Sequence, residues 1–152
     1  MERINTYTIN WDKVAEGLGL TTDKTIDMFD DGRMLGRLGE YLHENSEKGQ
    51  RQNETSVYDV KESNNIRSEI RTITDKVSFA ASKEVGSGRK VTEEGFQEKL
   101  NSLDRFILID KRLILKGIIH SIEVTKEDLE VLPLGKNKSI SAKKFFENYD
   151  GN

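Results

Sequence analysis

Two acidic residues, Asp59 and Glu69, and two basic ones, Lys61 and Arg71, fall on neighbouring segments with the composition of β-strands. Segments 56–62 and 66–74 alternate β-branched or aromatic residues with polar ones, and Ser63-Asn64-Asn65 between them suits a tight turn, so together they read as a hairpin. With those three residues as the loop, Asp59 stands opposite Glu69, Lys61 opposite Arg67 and Val57 opposite Arg71. Strand side chains alternate, so Asp59, Lys61, Arg67, Glu69 and Arg71 share one face. Tyr58, Val60, Ile66 and Ile70 form the other, which is a core surface. A slip of one residue would part the two carboxylates.

Directly opposed carboxylates repel when both are ionised, and a divalent cation removes that conflict. Such a cation polarises a phosphoryl oxygen, lowers the pKa of an attacking water and neutralises charge on the leaving oxygen. The chain has no cysteine and only two histidines, His43 and His120, which are expected to be structural or exposed. The expected metal is therefore hard and oxygen-liganded, Mg²⁺ with Mn²⁺ as a substitute. The competing interpretation is a solvated strand face whose charges pair across the hairpin.

Asp59, nine intervening residues and then Glu69-Ile70-Arg71 resembles the signature of the PD-(D/E)XK nuclease superfamily. The order of a leading helix, a hairpin, a helix and a buried strand over residues 33–124 is similar as well. Within the superfamily, the tract 74–83 after the hairpin is similar in style to type II restriction endonucleases. The resemblance implies that Asp59 and Glu69 are metal ligands, with the Ile70 carbonyl as a third, and that the substrate is double-stranded DNA. It also implies a restriction-endonuclease-like core. Tyr58 stands where the family has proline, and Arg71 where it has lysine. Arginine can hold a phosphate but is a poor proton acceptor, so Lys61 is the alternative source of an ammonium group. A second alignment takes Asp59-Val60-Lys61 as the acid-x-lysine, with Glu40 or Glu54 as the earlier acid.

Further along, Lys83, Ser87, Arg89 and Lys90 lie on a glycine-containing loop where backbone N–H groups and cations can hold DNA phosphates. A plain connecting loop is the other reading, since the full nucleotide-binding glycine motif is missing. Lys136, Lys138, Lys143 and Lys144 form either a basic flank or a solvated face. A chain this small offers few base-reading groups, so cutting both strands suggests a homodimer on a palindromic site.

The elements that must position these residues are legible in part. Residues 11–19 suggest a short helix, and Thr21 or Thr22 a cap for the next, before Gly32 breaks or bends it. Met34, Leu35, Leu38, Tyr41 and Leu42 lie on one helical face. Val77 to Ala81 suits a short extended piece. Thr92 is a suitable N-cap for a helix that buries Phe96, Leu100 and Leu103 and ends near Asp104. Residues 105–110 read as a strand buried on both faces, 113–124 as one or two more with Gly117 as a bend, and Thr125 and Ser141 as caps of two short helices. The expectation is one α/β (α+β) domain over 1–152 with a mixed central sheet flanked by helices. It divides into a helical lead-in (1–32), a core (33–124) and a C-terminal helical segment (125–152).

With 34% hydrophobic and 34% charged residues, the composition is that of a polar globule. No apolar run approaches the ~18–20 residues of a membrane span, and the polar start lacks a secretory signal's apolar stretch, so a cytoplasmic location is expected. A net charge of −3 argues against an indiscriminate polyanion binder but leaves room for a basic face.

Overall fold

Each helix opens where a short polar side chain can accept a backbone N–H of the first turn. In the computed structural model, which describes residues 1–47, 50–51, 58–86 and 88–151, Asn10 caps α1 (Trp11–Leu18) and Thr21 caps α2 (Thr22–Phe29). Asp31 accepts from the amides of Arg33 and Met34, so Gly32 opens α3 (Gly32–Glu47) instead of interrupting a helix. Thr92 caps α4 (Glu93–Ser102), Thr125 caps α5 (Lys126–Val131) in a reciprocal pair with Asp128, and Ser141 caps α6 (Ala142–Asp150). These starts agree with the sequence expectation.

The strands form a mixed six-stranded sheet flanked by helices. Its order is β1 (Glu2–Thr8), β7 (Ile118–Thr125), β6 (Arg105–Asp110), β4 (Arg67–Thr72), β3 (Val60–Lys61), β2 (Gln50–Arg51). Only β4 and β6 run parallel, joined by the crossover that contains α4, and the other neighbours are antiparallel. The succession α3, β2, β3, β4, α4, β6 thus builds one side of the sheet, and β7 and β1 extend it beyond β6. A second, two-stranded sheet pairs β5 (Lys76–Ser78) with β8 (Ser139–Ser141).

Two expectations about the ends are corrected. Residues 1–32 are not a purely helical lead-in, because β1 precedes α1 and forms an edge of the central sheet. Its Ile4, Thr6 and Thr8 supply the β-branched content that favours a strand even among polar neighbours. Residues 125–152 are likewise not wholly helical, since Ile140, flanked by serines, is buried opposite Val77.

Core residues lie on both faces. Under α3 are Leu35, Val60, Ile70, Ile107, Ile109 and Ile119. Under α4, α5 and α6 are Ile73, Phe79, Phe96, Phe106, Leu108, Ile122 and Phe145. The sheet-facing stripe of α3 is Leu35, Gly39 and His43, whereas Met34 and Tyr41, expected on that face, are exposed. Glycine explains the rotation. A Cβ at Gly39 would lie 2.8 Å from Ile109, so the helix backbone rests directly on the sheet at a position that carries no hydrophobic signal. Gly117, at φ +73, performs a different task by turning the chain into β7 where any side chain would strike the Ile9 carbonyl.

Among the described residues, no helix is long and apolar enough to cross a membrane.

Candidate active site on the β3–β4 hairpin

The hairpin has the expected pairing where it is regular: Lys61 faces Arg67 and Val60 faces Ser68. One step further back the ladder changes. The Asp59 N–H donates to the Ser68 carbonyl, so Asp59 and Val60 both face Ser68, the two-against-one arrangement of a β-bulge. Its effect is visible in the side chains. Tyr58, expected beside Val60, packs against the opposite core cluster. Asp59 does not stand out from a regular ladder but turns along the sheet, where its Oδ2 accepts the Ile70 N–H at 2.7 Å. Val57 and Glu54 lie outside the described residues.

Odd-numbered residues of β4 point toward α4. Glu69 and Arg71 therefore share a face, as expected, but that face is buried instead of solvated: Glu69 is only 5% exposed. Its carboxylate rests on the ammonium group of Lys99, which reaches in from α4 and is itself 8% exposed. The Arg71 guanidinium lies 3.9 Å from the other Glu69 oxygen. Its main partners are elsewhere, with hydrogen bonds to the carbonyls of Ser78 (2.8 Å) and Ala80 (3.0 Å) and to Ser82 Oγ (3.3 Å). Arg71 thus fastens the segment after β5 to the strand that bears Glu69.

Burial pushes the Lys99 ammonium below the ordinary lysine range, and the charge of Asp59 pulls it partly back. The same two effects act on Arg71 in the same order. Asp59, Glu69, Arg71 and Lys99 therefore form one electrostatic unit of two carboxylates and two cations. An arginine stays protonated in any such setting, while a lysine whose pKa is lowered can accept a proton.

Lys99 was not among the expected site residues, although the helix pattern contains its signal. Phe96, Lys99 and Leu103 fall at offsets 0, 3 and 7, so a lysine occupies a core-facing position of α4. Lys61, the expected alternative ammonium, is exposed beside the turn. Glu40 is half-buried on α3, which covers the other face of the sheet.

The donors that the sequence expectation names for a cation are Asp59, Glu69 and the Ile70 carbonyl. They are oxygen only, on two adjacent strands. The N–H and C=O of a strand residue leave on the same side, so the Ile70 carbonyl is directed to the flank where Asp59 lies. Among the described residues, no three histidine or acidic side chains cluster closely enough to enclose an ion.

A second cluster, unforeseen in the sequence, lies on the α3 face of the same hairpin. Glu62 Oε1 is bonded to His43 Nε2 (2.5 Å), Ser68 Oγ (2.7 Å) and Arg105 Nη2 (2.7 Å). Arg105 also reaches Ser68 Oγ and Glu123. Burial raises the Glu62 pKa, but the hydrogen bonds from His43, Arg105 and Ser68 outweigh it and hold the carboxyl at about 2. His43 is fully buried, consistent with a structural role, whereas His120 is half-buried and meets the Thr6 hydroxyl.

Of the expected DNA contacts, Lys83 pairs with Glu98 at 3.5 Å, Arg89 folds back onto the carbonyls of Lys83 and Val85, and Lys90 is exposed. Ser87 lies outside the described residues. Lys136, Lys143 and Lys144 are exposed, but Lys138 is bound to Glu93 at 2.7 Å and stacks on Phe96.

Compared with known proteins, the chain matches no family model, no curated protein and no solved structure.

Proposed function

We propose that the chain is a metal-dependent endonuclease hydrolysing phosphodiester bonds in duplex DNA, of the PD-(D/E)XK type and most similar in role to a type II restriction enzyme. The observation that carries this reading is the burial of Glu69 against Lys99 beside Asp59 and Arg71. Burying Glu69 and Lys99 is costly, and a buried ion pair is weak evidence of a stability role. A buried lysine whose pKa is lowered beside two carboxylates is a candidate for proton chemistry. The order α3, β2, β3, β4, α4, β6, with the acidic residues on β4 and just before β3, supports the same reading.

In this reading Asp59, Glu69 and the Ile70 carbonyl hold Mg²⁺ or Mn²⁺. When bound, the ion supplies Lewis-acid stabilisation of the phosphate and an acidified water. Lys99 takes the place of the lysine that the family carries on the strand, and its lowered pKa suits it to receive the proton of the attacking water. Arg71 keeps the 78–82 segment in position and adds positive charge beside the phosphate. A homodimer places one such site on each DNA strand.

The test is cleavage of a long, sequence-diverse duplex with Mg²⁺ or Mn²⁺ by the wild type, Glu69→Gln and Lys99→Met. Discrete fragments lost in both variants support the reading. For Lys99→Met, residual activity should also lose the rise with pH that follows Lys99 deprotonation. Cleavage unchanged in both variants refutes the assignment. Binding without cleavage under either ion favours a non-catalytic DNA-binding domain, in which the balanced charges of the cluster are structural. Fragments with short symmetric ends favour restriction over a homing, repair or phage nuclease role.

A further inference from the structure

Beyond the Arg71-held segment is a cavity of about 390 Å³ between the two-stranded sheet and the loop before α4, lined by Lys76, Ser78, Glu84, Arg89, Asn137 and Ser139 among others. Its lining is rich in hydrogen-bond donors that lack acceptors. Among the described residues, the Lys76 ammonium makes no ion pair or hydrogen bond, and Arg89 uses only Nη1, which donates to the carbonyls of Lys83 and Val85 at 3.3 Å each. Those two bonds hold the guanidinium in place while Nε and Nη2 keep their hydrogens unpaired. Asn137 accepts from Ser139 through Oδ1, and its amide nitrogen remains unengaged. Ser78 Oγ accepts from the Ala80 amide at 3.3 Å and retains its own proton to donate.

The one carboxylate in the lining does not offset this excess. Glu84 is committed to α4, accepting the Thr92 hydroxyl at 2.8 Å and the Thr92 amide at 3.4 Å. Two cations, of which Arg89 is held in place, with a hydroxyl and an amide N–H₂ around a cavity of this size match a tetrahedral oxyanion. Gly86, at φ +129, curves the chain so that Arg89 lies over it, a geometry that a residue with a side chain would adopt only under strain.

We infer that this cavity is a phosphate-binding subsite that takes a backbone phosphodiester of nucleic acid, with Lys76 and Arg89 neutralising it and Asn137 and Ser78 donating to its oxygens. The occupant's identity rests on the nuclease reading; the oxyanion chemistry does not. The connection to the hairpin site is short and runs through the Arg71 side chain. Ser78 lines the cavity and its carbonyl is held by Arg71, which approaches Glu69 at 3.9 Å. A strand engaged here is registered against Glu69 and Lys99, so the subsite fixes where along the backbone the chain acts.

The experiment is equilibrium binding of a fluorescent duplex DNA in EDTA over a series of salt concentrations, where no cleavage can occur. Compared with the wild type, the double variant Lys76→Ala, Arg89→Ala is expected to bind about tenfold more weakly, with a log–log salt slope smaller by about one, the loss of one phosphate contact. Lys76→Arg with Arg89→Lys should retain the slope, and Lys13→Ala on the remote α1 surface should leave binding unchanged. An unaltered affinity and slope in the double variant, or no duplex binding by the wild type, overturns the inference. Inorganic phosphate and a 5′-mononucleotide are titrated in parallel, with the Asn137 side-chain amide followed by NMR. If either saturates that signal while duplex affinity is indifferent to the double variant, the site serves free phosphate and the assignment to nucleic acid falls. The outcome is independent of catalysis: a reduced slope with no cleavage under Mg²⁺ removes the nuclease reading and keeps the subsite, and cleavage with an unchanged slope does the reverse.

Discussion

Two buried charge clusters lie back to back on the β3–β4 hairpin, and they are built differently. On the α3 face, a single oxygen of Glu62 receives hydrogen bonds from three elements at 2.5 to 2.7 Å, and Arg105 passes the connection to Glu123. On the α4 face, Glu69 meets Lys99 as an ion pair and Arg71 only at 3.9 Å, while the close hydrogen bonds of Arg71 go to main-chain carbonyls instead. The first carboxylate is tied into the architecture by directional bonds. The second is balanced by charge and less fixed in direction, the condition that the proposed exchange of its ammonium partner for a metal ion requires. Buried carboxylates of equal accessibility can thus be separated by how their partners approach them.

The comparison breaks most sharply in activity. Glu69→Gln is expected to lower cleavage by ~10⁴-fold, equivalent to about 5.5 kcal/mol of barrier, while the unfolding midpoint moves by no more than a few degrees, because a lysine already lowered in pKa can shed its proton when its partner is neutralised. Glu62→Ala should do the opposite. It leaves Arg105 and His43 buried without their anchor and costs about 3–5 kcal/mol in chemical denaturation, with cleavage per folded molecule retained. Equal effects of the two substitutions on stability would erase the distinction.

Acid titration sharpens it further. The folded Glu62 value of about 2 lies below its ordinary 4.5, so its contribution is complete above pH 4.5 and drains away as the pH falls through 2. Over that window the wild type should lose about 3 kcal/mol through this group. Glu62→Gln should flatten the acid limb of stability measured by urea unfolding between pH 5 and 2. The smallest effect expected is that of Gly39→Ala, where the added methyl meets Ile109 at 2.8 Å and should cost about 1–3 kcal/mol in thermal unfolding. Because α3 carries His43, that change should disturb the Glu62 cluster before the Glu69 one.

What could be read from the sequence follows from how local each signal is. The caps Thr21, Thr92, Thr125 and Ser141 act within three residues, and all four helices begin where those side chains predict. The pairing of Lys61 with Arg67 follows from a three-residue turn and is present. The bulge at Asp59 leaves no mark in the sequence, since it is a backbone event, and with it went the expected placement of Tyr58. Lys99 was legible as a cation in an apolar stripe, yet only the fold reveals that Glu69 lies beneath it. The Glu62 cluster could not be read at all, because its members at 43, 62, 68, 105 and 123 meet only when the helix and three strands have assembled. β1 and β8 were missed because each contributes few apolar side chains and owes its place to a partner strand far along the chain.

That last property of β1 has a bearing on assembly in time. Its partners on β7 lie more than a hundred residues away, while β4 and β6 pair across fewer than forty and β6 and β7 are nearly consecutive. The entropy of closing a loop grows with its length, and distant pairings form late. β1, synthesised before the strand it pairs with, is therefore expected to join the sheet last, onto a β7 edge already templated by β6, and in hydrogen–deuterium exchange the amides of β1 should open before those of β4 and β6. Until it docks, β7 presents an unpaired edge, so the nascent molecule passes through a stage in which a second chain competes for the place that β1 will take.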